Sequence, residues 1–192
     1  MRPHGGLIVG SEFEPASYIE LSVLGQFVAT HGHATAITHR VMFHVALWEP
    51  EIPPNTGNVA RLCAATESSL HLIGRLGFRL DERHLKRAGL DYWPAVDLAV
   101  HDSWDDFATA LTNSRIICLS TKVSQPYTRI AYQDNDCLLF GSESKGLPPG
   151  ILAHYSETAV TIPMPGSKVR SLNLATSVGI VLYEALRQRH GW

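Results

Sequence analysis

From Phe43 onward, short apolar runs alternate with segments whose apolar residues recur at helical spacing. Phe43-His44-Val45-Ala46-Leu47-Trp48 reads as the first strand, and Asn55–Thr66 as a helix for which Asn55 or Thr56 is a suitable cap. Leu70–Gly74 reads as a second strand. Asp81 opens a short helix that Gly89 ends, and Val96–His101 follows as strand. Ser103 with Asp106 has the form of a capping box for a helix through Leu111. Further strands are predicted at Arg115–Ser120, Cys137–Phe140 and Ala159–Ile162. The last helix runs from about Leu172 to Gln188, with Leu174, Val178, Val181, Leu182 and Ala185 on one face. This alternation predicts an α/β fold, a mostly parallel sheet flanked by helices.

Residues 1–41 depart from that pattern. They hold Gly5-Gly6, Gly10, Gly25 and Gly32 around one apolar run, Tyr18 to Val28, which Glu20, Ser22 and Gln26 interrupt. The run is too short and too polar to span a bilayer. Glu12 and Glu14 stand where a secretory signal carries positive charge. Residues 1–41 are therefore expected to be an extension, or an upstream start assigned in error, and 42–192 the functional domain.

Composition narrows the function classes. At 192 residues and 45% hydrophobic content the chain suits one globular domain, able to bury roughly 70% of its unfolded surface. A formal charge of -2 means that nucleic-acid contact requires a local basic face. Arg75, Arg79, Arg83, Lys86 and Arg87 supply one, opposed by Asp81 and Glu82, although such a stretch also suits a plain solvated helix surface. Cys63, Cys118 and Cys137 lie scattered in apolar stretches, as small core hydrophobes of a reducing, cytoplasmic setting. His31-Gly32-His33 lacks further ligands at metal-site spacing, so no metal is expected.

The candidate chemistry lies in the last third. A glycine turn follows an apolar strand in Leu138-Leu139-Phe140-Gly141-Ser142-Glu143-Ser144-Lys145-Gly146-Leu147-Pro148; Ile162-Pro163-Met164 and Ser171-Leu172-Asn173-Leu174 come after it. In open α/β sheets ligands sit beyond the carboxyl ends of strands. Leu119-Ser120-Thr121, Gly141-Ser142-Glu143 and Ile162-Pro163-Met164 are three such ends. Small residues there permit close backbone approach, and a helix opening at Ser171 points free N–H groups into the same region, a geometry suited to an adenosine-bearing cofactor. A triphosphate loop is disfavoured, because Leu147-Pro148 replaces the Lys-Ser or Lys-Thr it requires, and no G-x-G-x-x-G follows the first strand.

The first strand leads instead into Glu49-Pro50-Glu51-Ile52-Pro53-Pro54-Asn55-Thr56-Gly57-Asn58-Val59-Ala60-Arg61, which contains an Asn-x-Gly-x-x-x-Arg pattern at Asn55, Gly57 and Arg61. With the two later segments as second and third blocks, and Arg87-Ala88-Gly89-Leu90-Asp91-Tyr92 between, the chain resembles the SPOUT-class RNA 2′-O-ribose methyltransferases. It is most similar to the small tRNA (cytidine/uridine-2′-O-)-methyltransferases that act on the wobble nucleotide, over nearly all of Phe43 to Gln188. The resemblance implies S-adenosylmethionine as methyl donor, a trefoil-knotted carboxyl-terminal half forming its pocket, tRNA as substrate and a homodimer. Knots are otherwise close to absent among folds.

Carried over by motif, the resemblance places Leu119, Gly141, Ile162, Met164 and Ser171 at the cofactor, and Arg61, Asn55, Glu143, Ser171 and Asn173 at the chemistry. Asn55, Ser171 and Asn173 are equally suited to capping helices, and Glu143 to a turn. A guanidinium stays protonated, so Arg61 is expected to hold the target phosphate and organise the hydroxyl, the base role being the family's proposal. Arg83, Lys86, Arg87, Lys168 and Arg170 are expected to touch RNA. The third block departs from many relatives at Ala175, where a hydroxyl is common. The motifs leave another tRNA position or ribosomal RNA open as target; Arg61, Glu143 and Asn173 together argue against a binding module without catalysis.

Overall fold

The computed structural model describes residues 43–78, 95–166 and 168–192. The expected extension 1–41, the helix between Asp81 and Gly89, and Arg79, Arg83, Lys86 and Arg87 lie outside the described residues.

Five strands form one parallel sheet: β1 His44–Trp48, β2 Ser69–Ile73, β3 Leu98–His101, β4 Ile116–Leu119 and β5 Cys137–Phe140, in the order β3-β2-β1-β5-β4. Helices α1 (Pro53–Thr66), α2 (Trp104–Ala110), α3 (Pro149–His154) and α4 (Leu174–His190) complete the described regular structure, with short 3₁₀ turns at 127–129 and 156–158. The strands are nearly continuous apolar runs because helices cover both faces, so successive side chains on either side are buried. Val45, Leu47, Leu70, Leu72, Leu138 and Phe140 face α1 and α4. Ala46, Ile73, Cys118, Cys137 and Leu139 face Phe107 and Leu111 on the opposite side. Burial pushes the Cys63 and Cys118 thiols up to about 12, and Cys137 is raised by the same cause. All three are unionised packing residues.

Three expected element ends shift, each for a local reason. The cap of α1 is neither Asn55 nor Thr56 but Ile52, which offers no side-chain acceptor, and Pro53 and Pro54 occupy the first turn. Prolines tolerate that place because the first turn's N–H groups have no partner within the helix. The last helix opens at Leu174 rather than Leu172, because the Asn173 side chain accepts the Thr176 N–H and caps it. The predicted strand Ala159–Ile162 is an extended segment divided between two neighbours. Val160 bonds Cys118 and Ser120 beside β4, and Thr161 bonds Gln125 and Tyr127. Ser103 does cap α2, accepting the Asp106 N–H at 3.1 Å.

On the face opposite α1, three histidines from adjacent strands form a chain that the separate strand sequences do not announce. The Nδ1 of His44 lies 3.0 Å from Nε2 of His71, whose Nδ1 lies 3.0 Å from Nε2 of His101. His44 Nε2 meets Asn135 Oδ1 at 2.9 Å. Because the Asn135 amide nitrogen donates to Asn113 and Ser114, its oxygen must accept from His44. Each neutral ring then donates one N–H along the row. Burial first, with the neighbouring rings adding to it, pushes His71 down to about 4; burial likewise lowers His101.

Candidate active site

Beyond the carboxyl ends of β4 and β5 opens a cavity of about 530 Å³. Because β4 and β5 are neighbours in the sheet, the segments after each meet there, joined by the stretch from Thr161 to Leu174 that leads into α4. Leu119, Gly141, Ile162, Met164 and Ser171 all line it. The size and the mixture of apolar walls with polar backbone edges are those of a small-molecule site.

Gly141 is required by its own loop rather than by a ligand. A Cβ at that position would lie 2.1 Å from the carbonyl carbon of Gly146 and 2.2 Å from the nitrogen of Leu147. The loop doubles back on itself, with the Gly146 N–H bonded to the Ser142 carbonyl at 2.9 Å and Gly146 at φ +71°, where glycine is unstrained.

Asn55, Glu143 and Asn173 also line the cavity, one from each block. Glu143 accepts the backbone N–H of Glu51 at 2.9 Å and of Ile52 at 3.3 Å, so a carboxylate 91 residues away supplies the cap that Ile52 cannot. A negative charge there also complements the α1 dipole. The same carboxylate accepts from Asn55 Nδ2 at 2.8 Å, and Asn55 Oδ1 accepts from Asn173 Nδ2 at 2.8 Å. Glu51 answers from the other direction, accepting the Ser144 N–H at 3.2 Å and its hydroxyl at 2.6 Å. The orientation of both amides is thereby set, and α1, the 141–146 loop and the start of α4 are tied together. Asn173 thus both caps α4 and joins this network.

Other candidates fall elsewhere. Arg61 is exposed on α1 and does not line the cavity; it stands six residues beyond Asn55, a rise of about 9 Å along a helix. Arg170 lines the mouth, whereas exposed Lys168 does not. Lys122 and Lys145 line it as well. Neither was among the expected site residues, although each sits beside a strand end expected to meet the ligand: Lys122 directly after Leu119-Ser120-Thr121, Lys145 inside the glycine turn. Nothing in one sequence announces the pairing of Glu51 with Ser144.

A protein-family model described as the SpoU rRNA methylase family matches residues 42–183. The chain belongs to that family. It is 47% identical over 148 residues to a tRNA (cytidine(34)-2′-O)-methyltransferase of Methylovorus glucosotrophus (strain SIP3-4), an alignment covering 77% of this chain and 96% of that protein. A solved structure bearing on the 2-OH methylation of C/U34 on tRNA superposes with a TM-score of 0.75 at 49% identity, covering 80% of this chain and 99% of that one. An AdoMet-bound rRNA methyltransferase from Sinorhizobium meliloti superposes at 0.67 with 30% identity, over 77% of this chain and 56% of that one.

Proposed function

We propose that this chain transfers a methyl group from S-adenosylmethionine to the ribose 2′-hydroxyl of the tRNA wobble nucleotide, a cytidine or uridine at position 34; the relative is described as a 2′-O-methyltransferase of cytidine 34, and the solved structure bears on C/U34. The observation that carries the reading is the joining of Asn55, Glu143 and Asn173 into one hydrogen-bonded row on a cavity of cofactor size.

The residues present fit that donor. Leu119, Ile162 and Met164 offer apolar wall, and the Gly141 and Ser171 segments offer backbone groups; these five would hold the adenosyl part. When bound, S-adenosylmethionine supplies a sulfonium methyl that is already electrophilic. The task left to the protein is positioning, an effect worth roughly 7–11 kcal/mol in well-aligned reactions. Glu143 performs it indirectly: its oxygens accept from Glu51, Ile52 and Asn55, so it holds Asn55, and through it Asn173, against the cavity. Asn55 and Asn173 orient the ribose, since neutral amides are not bases. Ser171 faces the same space.

Arg61 acts in this reading across a homodimer, with Arg61 of the partner subunit gripping the target phosphate; its absence from the cavity of its own chain supports that. The knotted threading, the RNA contacts of Arg83, Lys86, Arg87 and Lys168, and a cytoplasmic setting complete the proposal. Among the described residues no helix is long and apolar enough to cross a membrane. Incubating the protein with labelled S-adenosylmethionine and total tRNA, then mapping the modified nucleoside, tests the function. Label at the wobble ribose is expected. Label at another tRNA position, or in ribosomal RNA offered in parallel, overturns the choice of target, and no label at all overturns catalysis.

A further inference from the structure

The mouth of the cavity carries three cations. Lys122 follows β4, Lys145 sits in the loop after β5, and Arg170 precedes α4; all three are exposed and all line the same opening. Among the described residues none of their side chains has a carboxylate partner. The carboxylate lining the cavity, Glu143, is turned toward the N–H groups of Glu51 and Ile52. A chain of net charge -2 thus places three positive charges against one engaged carboxylate at a single opening.

The two lysines share a local device. The Lys122 N–H donates to Ser120 Oγ at 3.1 Å, and the Lys145 N–H to Ser142 Oγ at 3.4 Å. Each flexible stem therefore springs from a turn closed by a serine hydroxyl, which fixes where the charge starts.

We infer that Lys122, Lys145 and Arg170 form a cradle for the backbone phosphates flanking the reacting ribose. The inference rests on the function proposed above and deepens it. S-adenosylmethionine bears sulfonium and ammonium charges against one carboxylate, so it is a net cation, which a cationic rim repels. A polynucleotide is the opposite: each phosphate brings a negative charge, and releasing its counterions drives binding. Lysine serves as a compact point charge on phosphate, and Arg170 adds a planar fork that grips two oxygens at once. Interactions of this kind set register without reading bases, so the cradle places the ribose while the choice of base is made elsewhere. The anionic group in question has one rival source, the carboxylate of the donor's methionine tail, and the experiment must separate the two.

The test compares the wild type with Lys122→Gln/Lys145→Gln, and with Arg170→Gln alone. Fluorescence anisotropy with an anticodon stem-loop RNA is followed through a salt series, calorimetry measures S-adenosylmethionine affinity, and thermal melting checks the fold. Neutralising one cation that binds a phosphate of a single strand lowers the slope of log K against log salt by about 0.7, so the double variant is expected to flatten it by about 1.4. Donor affinity stays unchanged. An unaltered salt slope in folded variants overturns the cradle. So does a fall in donor affinity that accompanies the change, which would assign the cations to the methionine carboxylate. Failure of the function itself looks different: wild type then transfers no methyl to tRNA, whatever the slopes do.

Discussion

At the scale of single residues, Glu143 shows how one carboxylate serves folding and site together. Its oxygens meet three N–H donors, from Glu51, Ile52 and Asn55. Glu143→Gln keeps the volume but turns an amide NH₂ toward donors, leaving at least one of them without an acceptor, which costs about 1–3 kcal/mol. The expected outcome is a lower melting temperature together with a lower kcat for tRNA methylation. Asn55→Ala removes both an acceptor and a donor from the row, so it is expected to lower kcat, and because Asn55 is buried it also lowers the melting temperature. Steady-state kinetics beside thermal melts check both variants. Retention of full kcat by both would show that the row has no part in positioning.

Elements raise a different question, because the sheet stores a pH dependence unrelated to the cavity. The His44–His71–His101 row runs across β1, β2 and β3, with His71 buried in the middle. A proton added to His71 would be a charge held in the buried sheet between two other rings, which burial first and those rings second oppose. Its folded-state value of about 4 lies below the ordinary 6.5, so the unfolded chain binds the proton first as pH falls. The sign follows: stability from this ring is complete above about pH 6.5 and declines as pH drops toward 4, by at most about 3 kcal/mol at 1.36 kcal/mol for each unit of pKa. His101, lowered in the same direction, adds to that slope. Melting temperatures measured between pH 7.5 and 4.5 should fall, and His71→Gln should flatten the curve. An equally steep curve for the variant would assign the effect to other groups. The row itself was not legible beforehand. The three strands were placed correctly from their apolar runs, but which residues stand side by side depends on register, and His71 pairs with Ala46 and Ala99 rather than with either histidine.

For the molecule as a whole, the decisive matter is how far one chain completes its own site. Asn55, Glu143 and Asn173 meet at the cavity of one subunit, and Arg61 stands off it on α1. If the partner subunit supplies the arginine, Arg61→Ala and Asn173→Ala disable different halves of the same assembly. Each variant alone is then inactive as a homodimer. Mixing the two subunits, with unfolding and refolding together to allow exchange, should restore methylation of tRNA that neither shows by itself. No recovery in a mixture shown by native mass spectrometry to contain the mixed dimer would place Arg61 in its own subunit's chemistry.

What the amino-acid order determined unaided was the five strands, the helices α1, α2 and α4 and the three segments that close on the cavity, though not the short helix α3. Buried strands must be apolar and short, helices covering them must repeat near every fourth residue, and glycine must stand where the 141–146 loop folds onto itself; such constraints are local and leave marks in sequence. Tertiary structure decided the rest, because it brings remote groups together. Only there does a carboxylate of the second block cap a helix of the first, the extended segment at Ala159–Ile162 divide between two neighbours, and Lys122, Lys145 and Arg170 share one opening. Meetings between positions some 20 to 120 residues apart are set by strand order and register, which a linear pattern of hydrophobic and polar positions does not encode.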